Sequence, residues 1–144
     1  MVKCIILTTL TVVWMIVIFL FSNQKADQST EKSHSLVKGT IVNVYKFFNP
    51  HASEEKIQEI VKKYDKPVRK TAHFTEYFIL GVLVCFTLKS YGVKNAYIMA
   101  LICALYAGSD EFHQMFVEGR NGNIIDFLID TSGSVLAILL FIKL

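Results

Sequence analysis

Four long apolar runs alternate with polar segments along the chain. They cover residues 4–21, 72–88, 96–112 and 124–144. A run of about 20 apolar residues is long enough to cross the hydrocarbon of a bilayer as an α-helix. Lipid offers the backbone no hydrogen bonds, so a single segment must satisfy its own as a helix. The pattern therefore predicts an all-α membrane protein with four transmembrane helices, forming a single domain over residues 1–144.

The polar segment 22–71 between the first two runs carries an amphipathic pattern of its own. Apolar residues recur at helical spacing from Leu36 to Phe48, and a second stripe follows Ser53. Ser53 is a typical N-cap residue, with acidic residues in the turn that follows it. The segment predicts one or two short amphipathic helices, which either lie on the membrane surface or cover the helix bundle.

Composition agrees with a membrane protein. Hydrophobic residues make up 53% of the chain and charged residues 19%, below the quarter that is usual in soluble domains. A net charge of +3 is too small to indicate a nucleic-acid partner. The three cysteines all lie in apolar runs, so we expect small buried side chains and no disulfide framework. The first run is long for a signal peptide and lacks a cleavage site, which favours a retained helix.

Polar residues concentrate at one end of the predicted bundle. In a four-span chain, the first span ends, the second begins, the third ends and the fourth begins on the same side of the membrane. The candidate ligand-binding residues there are Gln24, Arg69, Lys70, His73, Glu76, Asp110, Glu111, Gln114, Arg120, Asp126 and Asp130. The opposite ends carry mainly lysines, which suit anchoring at the headgroups. The sequence thus predicts a polar pocket at one membrane face.

Asp130 lies one helical turn deeper than Asp126. A carboxylate inside the hydrocarbon costs at least about 2.5 kcal/mol, so it should face the bundle and have a partner. Arg120 is the first candidate partner and Arg69 the second. A structural network of ion pairs is the main alternative to a functional site. For Arg69, Lys70 and Glu118, anchoring at the interface is the simpler interpretation.

Four motifs in fixed order resemble the VanZ-like family, small bacterial membrane proteins that include a glycopeptide-resistance accessory protein. The motifs are FSNQ at 21–24, RKTAHFTEY at 69–77, SDEFHQ at 109–114 and FVEGRNGNIIDFLIDTSG at 116–133. The resemblance implies a four-helix fold in the bacterial plasma membrane. It also implies a role in susceptibility to teicoplanin, a lipoglycopeptide that acts at the outer surface. It transfers no catalytic residue.

Two kinds of chemistry fit the polar cluster. In the first hypothesis, Arg69, Lys70 and Arg120 bind the phosphate or carboxylate of a headgroup, such as that of a lipid-linked cell-wall precursor or an anionic glycolipid. In the second, the site is a membrane-embedded hydrolase or transferase, with or without a divalent metal. Its candidate catalytic residues are His73, Glu76, Asp110, Glu111 and His113. Transport is a third possibility, although no internal repeat is visible.

The charge of the first loop and the resemblance indicate opposite orientations. Residues 22–70 contain ten Lys and Arg against six acids, which by the positive-inside rule places the segment in the cytoplasm. The resemblance to proteins connected with surface-acting antibiotics favours the outside. We expect both termini in the cytoplasm and the polar site outside. The ligand, any metal and the oligomeric state stay open.

Overall fold

The computed structural model describes residues 1–120 and 122–144, apart from the side chains of residues 26–29, 32 and 33. All regular structure in the described part of the chain is helical. The helices are α1 (Val2–Ser22), α2 (Ala26–Val37), a π-helical turn (Lys38–Val42), α3 (Asn43–Phe48), α4 (Glu54–Ser90), α5 (Ala96–Gln114) and α6 (Ile124–Phe141). The predicted fold class, an all-α protein, is confirmed.

Three of these helices, α1, α4 and α6, are long and apolar enough to cross a membrane. They contain the first, second and fourth predicted runs. The third predicted run lies in α5, whose last two turns hold Asp110, Glu111 and Gln114 and are therefore less apolar. The structure thus supports a membrane protein with three candidate spans in the described chain.

Helix α4 joins two segments that the sequence separated. The predicted amphipathic helix after Ser53 and the predicted span from residue 72 form one helix of 37 residues. At 1.5 Å per residue it is about 55 Å long, well beyond the ~30 Å of bilayer hydrocarbon. Its N-cap is Ser53, as predicted, with the side chain accepting from the Lys56 amide. The second amphipathic helix is therefore not a separate short helix, and Pro67 is accommodated inside α4.

The other half of the first loop folds back along this extension. Helices α2 and α3, with the π-helical turn between them, run without interruption from residue 26 to 48, and α2 and the π-helical turn pack against α4. We call residues 26–66 the loop-one hairpin. Its core consists of Val37, Val42, Ile57, Ile60 and Val61. The two predicted apolar stripes therefore face each other. In the described residues α2 and α3 contact none of the helices α1, α5 and α6.

The main core lies between α1, α4, α5 and α6. It is formed by Ile18, Tyr77, Leu80, Val84, Cys85, Met99, Cys103, Ala107 and Ile138. Cys85 and Cys103 are fully buried free thiols, in keeping with the small buried side chains expected from the sequence. Ser134 Oγ of α6 donates a hydrogen bond to the Tyr77 carbonyl of α4, 3.1 Å away. Small residues allow this close approach of α4 and α6.

Both chain termini lie at the same end of the bundle. Cys4 Sγ is 3.3 Å from the carbonyl oxygen of Ser90, which ends α4. Lys89 Nζ donates to the carbonyl of Ile142, 3.2 Å away, just beyond α6. The turn at residues 91–95 is therefore near both termini. The polar end of the molecule is the opposite one, where α1 and α5 end and α6 begins.

Candidate functional site

A cavity of about 130 Å³ opens at the polar end of the bundle. It lies between α4, α5, α6 and residues Gly119 and Arg120 of the connection after α5. Its lining residues are Arg69, Lys70, His73, Glu111, Gln114, Gly119, Arg120, Asp126, Ile129 and Asp130. Three elements and one loop thus bring together most of the ligand-binding residues that the sequence proposed.

Hydrogen bonds at the start of α6 fix its two aspartates against the cavity. Glu111 Oε2, at the end of α5, accepts from the Asn123 amide at 2.8 Å. Asn123 is the N-cap of α6, and its side chain accepts from the Ile125 amide. The turn before it passes through Gly119 with φ +75°, a left-handed conformation that glycine adopts without strain. Helix α6 therefore begins at a defined point, with Asp126 and Asp130 facing inward.

Arg69 and Arg120 are the guanidinium groups of the cavity. Arg120 Nη1 donates to Gln114 Oε1, 3.2 Å away, and this acceptor is neutral. Burial lowers the pKa of Arg120 and the positive charge of Arg69 lowers it further, while the charges of Asp110, Glu111 and Glu76 act in the opposite direction. Neither guanidinium forms an ion pair with a carboxylate within the described residues. The cavity therefore holds two neighbouring positive charges without an anionic contact.

Lys70 is not only an interfacial anchor. Its ammonium lies 2.6 Å from Asp126 Oδ1 and links α4 to α6 across the cavity wall. Both side chains remain partly exposed, so this ion pair is worth little stability on its own. Glu118, for which anchoring was also the simpler interpretation, forms an exposed ion pair with Lys25 away from the cavity.

Asp130 does not have the partner that the sequence predicted. It is 1% exposed, and neither carboxylate oxygen has a hydrogen-bond partner among the described residues. Neither Arg120 nor Arg69 forms an ion pair or hydrogen bond with it within the described residues, although both line the same cavity. The prediction of a direct ion pair was wrong because the Arg120 guanidinium is held by Gln114 instead.

A buried chain of polar side chains runs behind the cavity. Ser22 Oγ, at the end of α1, donates to Asp110 Oδ2 at 2.7 Å. Gln114 Nε2 donates to the same oxygen at 3.2 Å, while its carbonyl accepts from Arg120. Asp110 is 2% exposed and does not line the cavity. It therefore orients Gln114, and through Gln114 the guanidinium of Arg120.

His73 and Glu76 lie one turn apart on α4. His73 Nδ1 is 3.4 Å from Glu76 Oε2, within ion-pair distance although outside hydrogen-bond geometry. His73 lines the cavity and Glu76 does not. Since Nδ1 faces Glu76, Nε2 is the nitrogen left to meet a ligand. This arrangement, with the imidazole at the cavity and the carboxylate behind it, is the one expected when a carboxylate orients a histidine.

Besides Asp110 and Glu76, two further candidate residues do not line the cavity. His113 packs against the ring of Phe19, with 4.6 Å between centroids. Gln24 lies in the turn after α1 and does not line the cavity. Among the described residues, no group of three or more His, Cys, Asp or Glu side chains is arranged to hold a metal ion.

Sequence reasoning missed two residues near the site. Ser22 belongs to the FSNQ motif at the end of the first span, and its contact with Asp110 was not expected. Tyr77 is fully buried, and its hydroxyl has no hydrogen-bond partner among the described residues. The spacing of Tyr77, four residues after His73 on α4, was the signal that could have included it.

Comparison with known proteins gives one family. The VanZ/LLP1 family model matches residues 7–144, essentially the whole chain. No curated protein and no solved structure matches the chain. The chain belongs to the VanZ/LLP1 family, which confirms the resemblance inferred from its motifs.

Proposed function

We propose that this VanZ/LLP1 family member is a multi-pass plasma-membrane protein that binds a small anionic headgroup at one membrane face. The ligand class is a lipid-linked cell-wall precursor or another anionic lipid, with its phosphate in the cavity. In the proposed topology α5 is the fourth span, both termini are cytoplasmic and the cavity opens outside. Through this ligand, the protein alters the susceptibility of the cell surface to teicoplanin.

The observation that carries the proposal is the pair of guanidiniums in the cavity. Both line the cavity, and neither forms an ion pair with a carboxylate among the described residues. Burial and the charge of Arg69 lower the pKa of Arg120, and the carboxylates of Asp110, Glu111 and Glu76 offset only part of this. Two like charges in a partly buried cavity repel each other, and a bound phosphate would remove that repulsion. Arginine binds phosphate oxygens through two parallel N–H groups, which also fixes the orientation of the ligand.

The size of the cavity limits what it can hold. At about 130 Å³ it exceeds the ~15 Å³ that one water needs, yet it is smaller than the ~300 Å³ at which pockets for drug-sized ligands begin. A phosphate with a short substituent fits this size, whereas a whole saccharide–peptide headgroup does not. The remainder of a larger ligand would stay outside the cavity.

Apolar side chains beside the cavity suit the lipid part of such a ligand. Phe112 and Phe116, around the end of α5, are 62% and 74% exposed. Leu128, on α6 beside cavity residue Ile129, is 57% exposed. In a membrane these surfaces contact acyl chains, because large exposed apolar side chains belong in lipid there. A lipid could therefore keep its chains on the helices while its phosphate enters the cavity.

Arg120 offers the direct test. Purified protein in detergent would be titrated with phosphatidylglycerol, and the retained lipid measured by native mass spectrometry. Loss of a charge-assisted contact worth about 1.5–3 kcal/mol should lower the affinity of Arg120→Gln about tenfold or more. Lys56→Gln is the matched control, because Lys56 is an exposed cation on α4 that pairs with Glu59 in the hairpin. Equal retention by wild type and Arg120→Gln would contradict the proposal.

The His73–Glu76 pair favours a second candidate function, a hydrolase or transferase acting on the same phosphate-bearing ligand. His73 Nε2 would act as the base or nucleophile, with Glu76 orienting the ring. His73→Gln and Glu76→Gln would then abolish the cellular phenotype at unchanged protein level and unchanged lipid retention. If the phenotype instead follows lipid retention in all variants, the site acts by binding alone.

A further inference from the structure

Asp130 forms the deep wall of the cavity and has no partner there. It lines the cavity, is 1% exposed, and has two carboxylate oxygens without a hydrogen-bond donor among the described residues. Buried polar atoms without a partner are uncommon in folded proteins, and each calls for a specific explanation. An ionised carboxylate is the most demanding of them, because both its charge and its oxygens need compensation.

The protein's own cations are held elsewhere. Lys70 is bound to Asp126 at 2.6 Å, and the Arg120 guanidinium is bound to Gln114 at 3.2 Å. His73 turns its Nδ1 toward Glu76, and although it is close enough to interact with the charge of Asp130, it forms no hydrogen bond with either carboxylate oxygen. Arg69 lines the cavity without forming an ion pair with Asp130. The donor that Asp130 lacks is therefore not supplied by the side chains around it.

We infer that the anionic phosphate bound by Arg69 and Arg120 carries a short substituent with a primary ammonium, which meets Asp130. This inference rests on the proposed function and adds the second half of the ligand. A hydroxyl would donate to one carboxylate oxygen but leave its charge uncompensated. A primary ammonium carries three donors and a positive charge, so it satisfies both oxygens and the charge together.

The size of the cavity agrees with a short link between the two charged groups. A volume of about 130 Å³ leaves room for a phosphate, a few carbon atoms and an ammonium. Phosphoethanolamine has this composition. Phosphocholine carries a quaternary nitrogen that has no N–H to donate, and phosphoglycerol carries hydroxyls in place of the cation. The three headgroups therefore separate the effects of phosphate, charge and hydrogen-bond donation.

Lipid retention by the purified full-length protein tests the inference. Phosphatidylethanolamine, phosphatidylcholine and phosphatidylglycerol with identical acyl chains would be compared by native mass spectrometry. We expect wild type to retain phosphatidylethanolamine about tenfold better than the other two. Asp130→Asn should remove that preference while phosphate-dependent retention remains. Glu59→Gln, an exposed acid in the loop-one hairpin, is the matched control and should keep the preference.

The outcomes separate this inference from the proposed function. If wild type retains the three lipids equally, or Asp130→Asn keeps the preference, the ammonium site is wrong and phosphate binding stands. If wild type retains none of them, the proposed function fails as well.

Soluble phosphoethanolamine and phosphocholine, added as competitors to wild type, give a readout that needs no folded variant. Competition by phosphoethanolamine alone supports the site and identifies a free phosphate ester as a ligand. Equal competition by both overturns it, and competition by neither, with the lipid preference intact, assigns the site to lipid.

Discussion

Gly133 and Gly81 determine how closely α4 and α6 can approach each other. A Cβ at Gly133 would lie 2.4 Å from the carbonyl oxygen of Phe74, and one at Gly81 would lie 2.5 Å from that of Ser134. Both distances are too short, and in each case the obstacle is backbone, which cannot rotate away. The same two helices carry His73, Asp126 and Asp130. The glycines therefore set the width of the cavity wall as well as the packing of the bundle.

Gly133→Ala should destabilise the protein. The new methyl group forces α4 and α6 apart, and overpacking of this kind costs about 1–3 kcal/mol. Thermal unfolding in detergent, followed by circular dichroism, measures the effect. Gly39→Ala in the π-helical turn is the matched control, because its Cβ would meet nothing within 4 Å. An unfolding temperature of Gly133→Ala at or above that of the control would contradict the close packing.

Individual residues also show where sequence reasoning ends. That Asp130 lies inside the bundle followed from its position a turn beyond Asp126. The identity of its partner did not follow, because Arg120 could reach several acceptors and the sequence does not rank them. Gln114 holds Arg120 since Ser22 and Asp110 orient its amide from behind. These contacts behind Arg120 form because the ends of α1 and α5 meet near the start of α6. A local sequence pattern does not encode that meeting.

At the scale of elements, the loop-one hairpin and the bundle have separate cores. The hairpin core contains Val37, Val42 and Ile57, and the bundle core contains none of them. The hairpin is connected to the bundle through the continuous helix α4 and the short connection after α1. A weakened hairpin core should therefore open the hairpin without unfolding the bundle.

Ile57→Ala tests this independence. Ile57 is 4% exposed, and removing its buried methyl groups should cost the hairpin about 2–5 kcal/mol. Amide hydrogen exchange should become faster in residues 34–64, while the amides of α5 and α6 keep their protection. Leu36→Ala is the control, since Leu36 is 58% exposed in the same hairpin. Faster exchange throughout α5 and α6 would show a single cooperative unit instead.

Across the whole molecule, the charged and polar side chains divide between two ends. The cavity lies at one end, with Arg69, Arg120 and Asp126 around it. The termini and the turn at 91–95 lie at the other, near Lys89. The pattern of spans alone predicted this division, because alternate connections of a helical bundle must lie on opposite sides. The geometry fixes which groups share a side.

Cysteine labelling in intact cells tests the proposed orientation. In a Cys4→Ser background, Cys85 and Cys103 are fully buried and should not react. His51→Cys, at the exposed tip of the loop-one hairpin, should react with a membrane-impermeant maleimide in intact cells. Lys94→Cys, in the turn at the opposite end, is the control and should react only after permeabilisation. The reverse result would place the cavity in the cytoplasm, as the basic residues of the first loop suggest.

The sequence by itself determined that the protein is helical, that it is built for a membrane and that its ionisable residues gather at one end. These properties follow from the length and order of the apolar runs along the chain. A chain segment in lipid must be helical, and successive spans alternate in direction, so the side on which each span ends is predictable. The tertiary structure decided which of the polar groups at that end contact each other. Only the packing of α4, α5 and α6 could turn Arg120 toward Gln114, pair Lys70 with Asp126 and leave Asp130 without a partner. Each of these contacts depends on distances between residues far apart in the chain, set to within an ångström by close packing.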